Sequence, residues 1–276
     1  MSWPSLPKYN RAEVSAAASS AGTSLTANAS TNTKATTYTA LIASTAFDAH
    51  ALMLNVGRET STSGIQFLMD IAIGASTAEQ NIISNYLFSR GNNESADNSI
   101  LLPISIPAGS RLSGRVQCST GSAVLKVTAH LFGGDLWAPG GFNRVETLGA
   151  VTADSGGTSV DPGGSANTKG AYSVLSTSTG FNYAGFFLCI GGNLNSVIGA
   201  LTRARVDIAV GASTAEQVIL PDYQIVAGTA GDAYMPGVSP FFPIPIPAGS
   251  RVTARAQSSN TDATDRLFDI VLYGVG

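Results

Sequence analysis

Charge is what this chain has least of. Only 12% of its 276 residues are Asp, Glu, Lys or Arg, about half the usual share. The formal net charge of -3 hides no Lys/Arg cluster, and a grip on nucleic acid needs a basic footprint, so no nucleic-acid partner is expected. Histidine and cysteine are scarcer still: His50, His130, Cys118 and Cys189 are the whole supply. Without metal-ligand spacing a Cys/His zinc site is excluded, and little remains from which to build a Ser/His/Asp or Cys/His catalytic arrangement. A disulfide framework is not indicated. A single Cys118–Cys189 bridge stays open beside the reading of two unrelated buried thiols. Long apolar runs are missing as well. No stretch approaches the roughly 18 residues of a membrane span. The opening MSWPSLPKYNRAEVSAAASSAG has no basic segment leading into an apolar one, so neither a signal peptide nor a membrane partner is expected.

What the chain does have is the same text twice. Met69 to Gln80 reads MDIAIGASTAEQ and Val206 to Gln217 reads VDIAVGASTAEQ; Pro103 to Arg111 is PISIPAGSR and Pro243 to Arg251 is PIPIPAGSR. The match extends outward. Trp3 answers to Trp137, Tyr9-Asn10-Arg11 to Phe142-Asn143-Arg144, Gly22-Thr23-Ser24 to Gly157-Thr158-Ser159, Asn32-Thr33-Lys34 to Asn167-Thr168-Lys169, Phe47 to Phe181 and Tyr86 to Tyr223. Leu131-Phe132-Gly133 pairs with Leu272-Tyr273-Gly274, which sets His130 opposite Val271; Cys118 falls opposite Ser258 and Cys189 opposite Asn55. The period is far too long for a solenoid repeat of about 20 to 50 residues. Two complete units are expected, 1–134 and 135–276, each the size of a domain with its own core.

Each unit reads as β. Ile65, Phe67, Met69, Ile71 and Ile73 alternate with Gln66, Leu68, Asp70 and Ala72, and Ala204, Val206, Ile208 and Val210 alternate with Arg203, Arg205, Asp207 and Ala209. That period of two predicts a strand with one buried face in both copies. Pro107-Ala108-Gly109-Ser110 predicts a turn with Pro at its second position and Gly after it. Seven or eight short strands per unit are separated by Gly/Ser/Asn/Pro stretches. The fold class is therefore all-β, two tandem antiparallel β-sandwich domains of jelly-roll type from an internal duplication. The alanines of Ser15 to Ala21 allow a short helix, which the glycines at the matching Thr152 to Gly156 do not support.

Chemistry is thinly signalled. Asp70/Asp207 and Glu79/Glu216 recur in both copies, and paired acids can cleave glycosides. Arg111/Arg251 and Arg115/Arg255 recur with them, so structural ion pairs are expected, Asp70 with Arg115 and Asp207 with Arg255. Asp154 and Asp161 sit in a Gly/Ser loop whose first-copy equivalent has no acid, which does not fit calcium. No metal or cofactor is expected, and the chain is expected not to be an enzyme. The Pro-rich opening of each unit carries aromatics and an arginine, Trp3, Tyr9 and Arg11 in the first and Trp137, Phe142 and Arg144 in the second. Such a segment can lie across a neighbouring domain or subunit and anchor there.

The D-I-A-x-G-A-S strand, the E-Q pair and the I-P-A-G-S-R turn, set in an Ala/Ser/Thr/Gly-rich β chain, resemble structural proteins of tailed-bacteriophage virions of the capsid decoration, neck, tail or baseplate type. The resemblance implies a virion location after synthesis in the host cytoplasm, self-association as a homotrimer or hexamer, and other virion proteins as partners. An alternative is a glycan-binding adhesion module, with Tyr86 and Tyr223 as contacts to a host surface glycan and two sites giving avidity. A double jelly-roll capsid protein ranks lower.

Overall fold

A computed structural model describes residues 11–15, 22–58, 65–90, 98–133, 142–192, 202–227, 234–235, 237–259 and 268–276. The described strands are β1 (Arg11–Val14), β2 (Thr23–Thr26), β3 (Thr39–Ile42), β4 (Ala49–Arg58), β5 (Ile65–Ile73), β6 (Gln80–Arg90), β7 (Asn98–Leu102), β8 (Leu112–Cys118), β9 (Val124–Gly133), β10 (Val145–Leu148), β11 (Ala150–Val151), β12 (Gly156–Val160), β13 (Ser173–Ser176), β14 (Gly185–Gly192), β15 (Thr202–Val210), β16 (Gln217–Ala227), β17 (Tyr234–Met235), β18 (Val252–Ser258) and β19 (Phe268–Val275). All named pairings among them are antiparallel.

They form four sheets. Sheet I runs β1-β9-β4-β7 with β2 beside β9, sheet II β3-β8-β5-β6, sheet III β10-β19-β12-β11 with β14 beside β19, and sheet IV β13-β18-β15-β16-β17. The interleaved orders 2-9-4-7 and 3-8-5-6 are those of a jelly roll, and sheets III and IV repeat the plan. Each sheet draws its strands from one half of the chain. The helix allowed at Ser15 to Ala21 and the 134/135 boundary fall mostly or wholly outside the described residues.

Strand alternation builds the layers. Leu52, Leu54, Leu125 and Leu131 of sheet I meet Phe67, Met69 and Ile71 of sheet II in one core, while Leu188, Ile190, Ile270 and Leu272 of sheet III meet Val206, Ile208, Val252 and Ala254 of sheet IV in another. The opposite face of sheet III, with Phe187, Cys189, Val271, Tyr273 and Val275, belongs to the first core. Sheet III therefore packs on both sides, and the layers follow the order I, II, III, IV. This corrects the expectation of one buried face for β5. Gln66, Leu68, Asp70 and Ala72 are as buried as their neighbours: Asp269 of the second half meets Gln66, Lys34 and Arg115 close over Asp70, and of the four counterparts on β15 only Arg203 and Arg205 are exposed while Asp207 and Ala209 are buried.

Two further expectations are corrected. Ser110 donates its N–H to Pro107 O, and Gly109 has φ 76. Pro107 is thus the first residue of the turn, and Gly109 holds the third position of a type II turn, where a positive φ is required. The PAGS turn at Gly249 repeats it, with φ 78. The second correction concerns the closing strand. Arg11 pairs with Gly133 whereas Arg144 pairs with Gly276; Thr23 faces Val127 whereas Thr158 faces Ile270. Gly133 crowds Phe47 and Asp48 as Gly276 crowds Phe181 and Asn182. The true partner of each β9 residue therefore lies two residues beyond the one the text match suggests. His130 answers to Tyr273, Thr128 to Val271 and Lys126 to Asp269. A slip of two leaves every side chain on its own face, so alternation could not reveal it.

Candidate functional site

The recurrent acids come first. Asp70 accepts from Lys34 Nζ at 2.7 Å, Arg115 Nε at 3.0 Å and the Asn85 N–H at 3.0 Å. Asp207 accepts from Lys169 Nζ at 2.6 Å, Arg255 Nε at 2.9 Å and the Asp222 N–H at 2.8 Å. Asn85 and Asp222 have φ 57 and 51, a bulge conformation that turns the N–H toward the acid. Arg115 lies over the Tyr38 ring at 4.5 Å and Arg255 over Tyr172 at 4.6 Å. Burial works against both carboxylates, but the lysine, the arginine and the backbone donor together hold them below the ordinary carboxylate range. Glu79 and Glu216 bond Arg111 and Arg251 at 2.8 and 3.0 Å. All four of these acids are committed to a cation.

The opening segments are partly described. Trp3, Tyr9 and Trp137 lie outside the described residues. Arg11 is exposed on edge strand β1. Phe142 is tied to the first half of the chain: its N–H bonds Pro103 O at 3.1 Å, it accepts from Ser105 N at 3.0 Å, and its ring packs on Phe241. Arg144 lies over the Phe181 ring at 5.7 Å. Arg144 and Phe181 line a cleft of about 650 Å³ between the halves, with Ile73 and Asn81 across from Arg144 and Glu146. Glu146, the one carboxylate among its described lining residues, accepts from the Gly180 N–H at 2.8 Å and Tyr183 Oη at 2.7 Å. Asp154 and Asp161 accept from Gly156 and Gly163 two residues on, as turn residues do. No group of three or more metal-ligating side chains occurs among the described residues.

Both cysteines are free and buried. Burial pushes the Cys189 thiol up to about 12, and Cys189 Sγ donates to Leu87 O at 3.2 Å. Tyr86, proposed above as a glycan contact, is fully buried and stacks on Tyr273 at 5.6 Å, so that role is corrected. Tyr223 is half-buried, edge-on to Phe242 at 5.4 Å.

Sequence reasoning missed how the halves meet. The turn before β12 enters a recess on sheet II: Gln117 Nε2 donates to Thr152 O at 2.8 Å and Ser155 Oγ at 3.0 Å, and Ser155 Oγ donates to Asn32 Oδ1 at 2.8 Å. Asp269 accepts from Gln66 Nε2 and from the Gly157 N–H. Tyr273 Oη accepts from the Leu87 N–H at 2.7 Å. Among the described residues, sheet IV carries the same recess as an open pocket of about 340 Å³ lined by Asn167, Arg203, Arg205, Gln224, Gln257 and Ser259 among others. The equivalence is set by backbone bonds. Asn32 and Asn167 donate to Cys118 O and Ser258 O, while Ser119 and Ser259 donate to Gln66 O and Arg203 O. Where the covered recess has Gln66, Leu68 and Leu87, the open one has Arg203, Arg205 and Gln224. Sheets I and III differ in the same sense: Asn55, Thr128 and His130 stand on the open face where Cys189, Val271 and Tyr273 stand on the covered one. The signal was in the sequence, as a difference between copies rather than a shared motif.

No protein-family profile matches the chain, and no curated protein matches it in sequence. Solved structures resemble it at low identity. PNGF-II is 8% identical with a TM-score of 0.43, over 96% of this chain; the chain spans only 66% of the length of that one. PNGase F, a glycosylasparaginase from Flavobacterium meningosepticum, is 10% identical with a TM-score of 0.39, covering 92% of this chain and 94% of the other. Infectious bursal disease virus Gx strain follows at 15% identity and a TM-score of 0.23, over 98% of this chain and 73% of that one. The expectation that the chain is not an enzyme is corrected by the presence of a glycosylasparaginase among these structures. The physical fault in it is that scarce histidine, cysteine and metal ligands do not exclude chemistry run on carboxylates alone. At such scores the likeness assigns no reaction.

Proposed function

We propose that the chain is a structural protein of a tailed-phage virion, assembling on the capsid, neck or tail through protein–protein contacts with itself, as a homotrimer or hexamer, and with other virion proteins. The observation that carries this reading is the docking of sheet III on sheet II. Each half of the chain presents a sheet face to the other, with Leu68, Leu87, Cys189 and Val271 where the faces are covered and Arg205, Gln224, Asn55 and Thr128 at the equivalent open positions. The same jelly-roll faces are thus used as protein-docking surfaces within one chain. An apolar row, Val14, Met53 and Leu101 with His130 between, crosses the open face of sheet I, with Val14 54% and Leu101 47% exposed. Low charge suits burial against neighbours.

The test is the solution mass of the full-length chain by light scattering, alone and with Trp3→Ala and Tyr9→Ala combined. A trimer or hexamer that falls apart in the double variant supports the reading. A monomer in both removes it. The glycan-adhesion alternative loses Tyr86 to burial and keeps one feature in its favour, the polar pocket on sheet IV.

A further inference from the structure

We propose that the sheet IV pocket is a docking site for a carboxylate-bearing turn of a partner protein, with Arg203 and Arg205 as the residues that hold the carboxylates. The inference rests on the assembly reading in one respect, that the occupant is a protein. Its first support is that the chain already fills one copy of this recess and so displays what the recess accepts. On sheet II the turn Thr152 to Gly156 sits in it through Gln117 and Asn32, and the carboxylate of Asp269 is met by Gln66. On sheet IV the position of Gln66 is Arg203 and that of Leu68 is Arg205, both exposed. A guanidinium facing a carboxylate gives a shorter, charge-assisted and often bidentate contact where the amide gives a neutral donor.

The second support is that the two arginines stand outside the ion pairs formed among the described residues. Lys34, Arg111, Arg115, Lys169, Arg251 and Arg255 each bond a carboxylate, whereas no ion pair occurs to Arg203 or Arg205 among the described residues. Two guanidiniums side by side on one strand, flanked by Gln224 and Gln257, cost repulsion that an anionic occupant relieves. The third support excludes a second copy as the occupant. The face of sheet I that would meet sheet IV carries Lys126 at the position of Asp269. The segment matching the docked turn, Ser20 onward, has no acid before Lys34. The fitting occupant is therefore an acidic turn of another protein.

The probes are hexaglutamate, hexaglutamine and hexagalacturonate peptides and sugars of matched length, titrated into the full chain at low salt by calorimetry, with oligomeric mass recorded on the same sample. Hexaglutamate is expected to bind, to weaken as salt rises, and to weaken about tenfold or more in the double variant R203Q/R205L, which restores the sheet II residues at exposed positions. Hexaglutamine is expected not to bind. Equal binding of hexaglutamine, binding that survives R203Q/R205L, equal or tighter binding of hexagalacturonate, or no binding at all would each overturn the proposal. Failure of the assembly reading appears separately, as a monomer in the mass measurement whatever the titration shows.

Discussion

Tyr86 and Tyr273 stack on one another in the interior, yet only one of the two hydroxyls is used. Tyr273 Oη accepts the Leu87 N–H, while Tyr86 Oη is buried without a hydrogen-bond partner among the described residues. An orphaned buried hydroxyl costs desolvation and returns nothing, so Tyr86→Phe is expected to leave stability unchanged or raise it by about 1 kcal/mol. Tyr273→Phe orphans a buried N–H and should cost about 1 to 2 kcal/mol; urea midpoints of the two variants decide. Asp70 makes the contrasting case, since three donors converge on it. Its folded pKa lies below the unfolded one, so its stabilisation is present above the ordinary carboxylate range, about 4, and is lost as pH falls through the depressed value. Asp70→Asn should cost about 2 kcal/mol at neutral pH, because its cations stay partly solvated, and should flatten the acid limb of the stability curve. Denaturant midpoints between pH 7 and pH 2 check it, and an unchanged acid limb would assign acid sensitivity elsewhere. The duplication made Asp70 and Arg115 legible as a pair. Lys34 and the bulge residue Asn85 were not, because they meet the acid only once strands β5, β6 and β8 are in register.

Strand β5 and strand β15 carry the same motif and end in different surroundings. Alternation located both strands and their inward faces, as period-two burial requires. What it could not state is whether the other face meets water or protein, since that depends on a surface more than a hundred residues away in the chain. The residue that does state it is Leu68, apolar on the supposedly solvated face, where β15 has Arg205. Leu68 is fully buried and Arg205 exposed. Leu68→Arg therefore buries a guanidinium in the contact with sheet III, where the carboxylate of Asp269 is already engaged by Gln66 and the Gly157 N–H, and should cost about 3 to 5 kcal/mol. The reverse change, Arg205→Leu, should cost nothing beyond about 0.5 kcal/mol. The turns tell the same story at smaller size. PAGS announced a turn, but the place of Pro107 in it came only from the Ser110 hydrogen bond, because Pro is compatible with more than one position while Gly109 alone demands its own.

A chain made of two similar units that dock through unlike faces raises a problem of closure. The contact of sheet III on sheet II, repeated between molecules, would set sheet I of one copy on sheet IV of the next, and a heterologous contact of this kind grows without end unless its rotation closes. The residues at the open faces act against it. Lys126 stands where Asp269 meets Gln66, and Arg203 stands where Gln66 lies, so head-to-tail stacking would bring two cations together at the point where the internal contact has a carboxylate and an amide. Arg205 would also be carried into a position that inside the chain belongs to Leu68. Like charges placed together at an interface penalise it by several kcal/mol. The triple variant K126D/R203Q/R205L removes the repulsion and rebuilds the internal pair at the molecular ends. Its mass in light scattering should climb with concentration beyond that of the wild type, and the climb should persist at high salt because the restored contact is largely apolar. A triple variant that keeps the wild-type mass throughout the concentration range would mean that the open faces are held apart by shape rather than by charge.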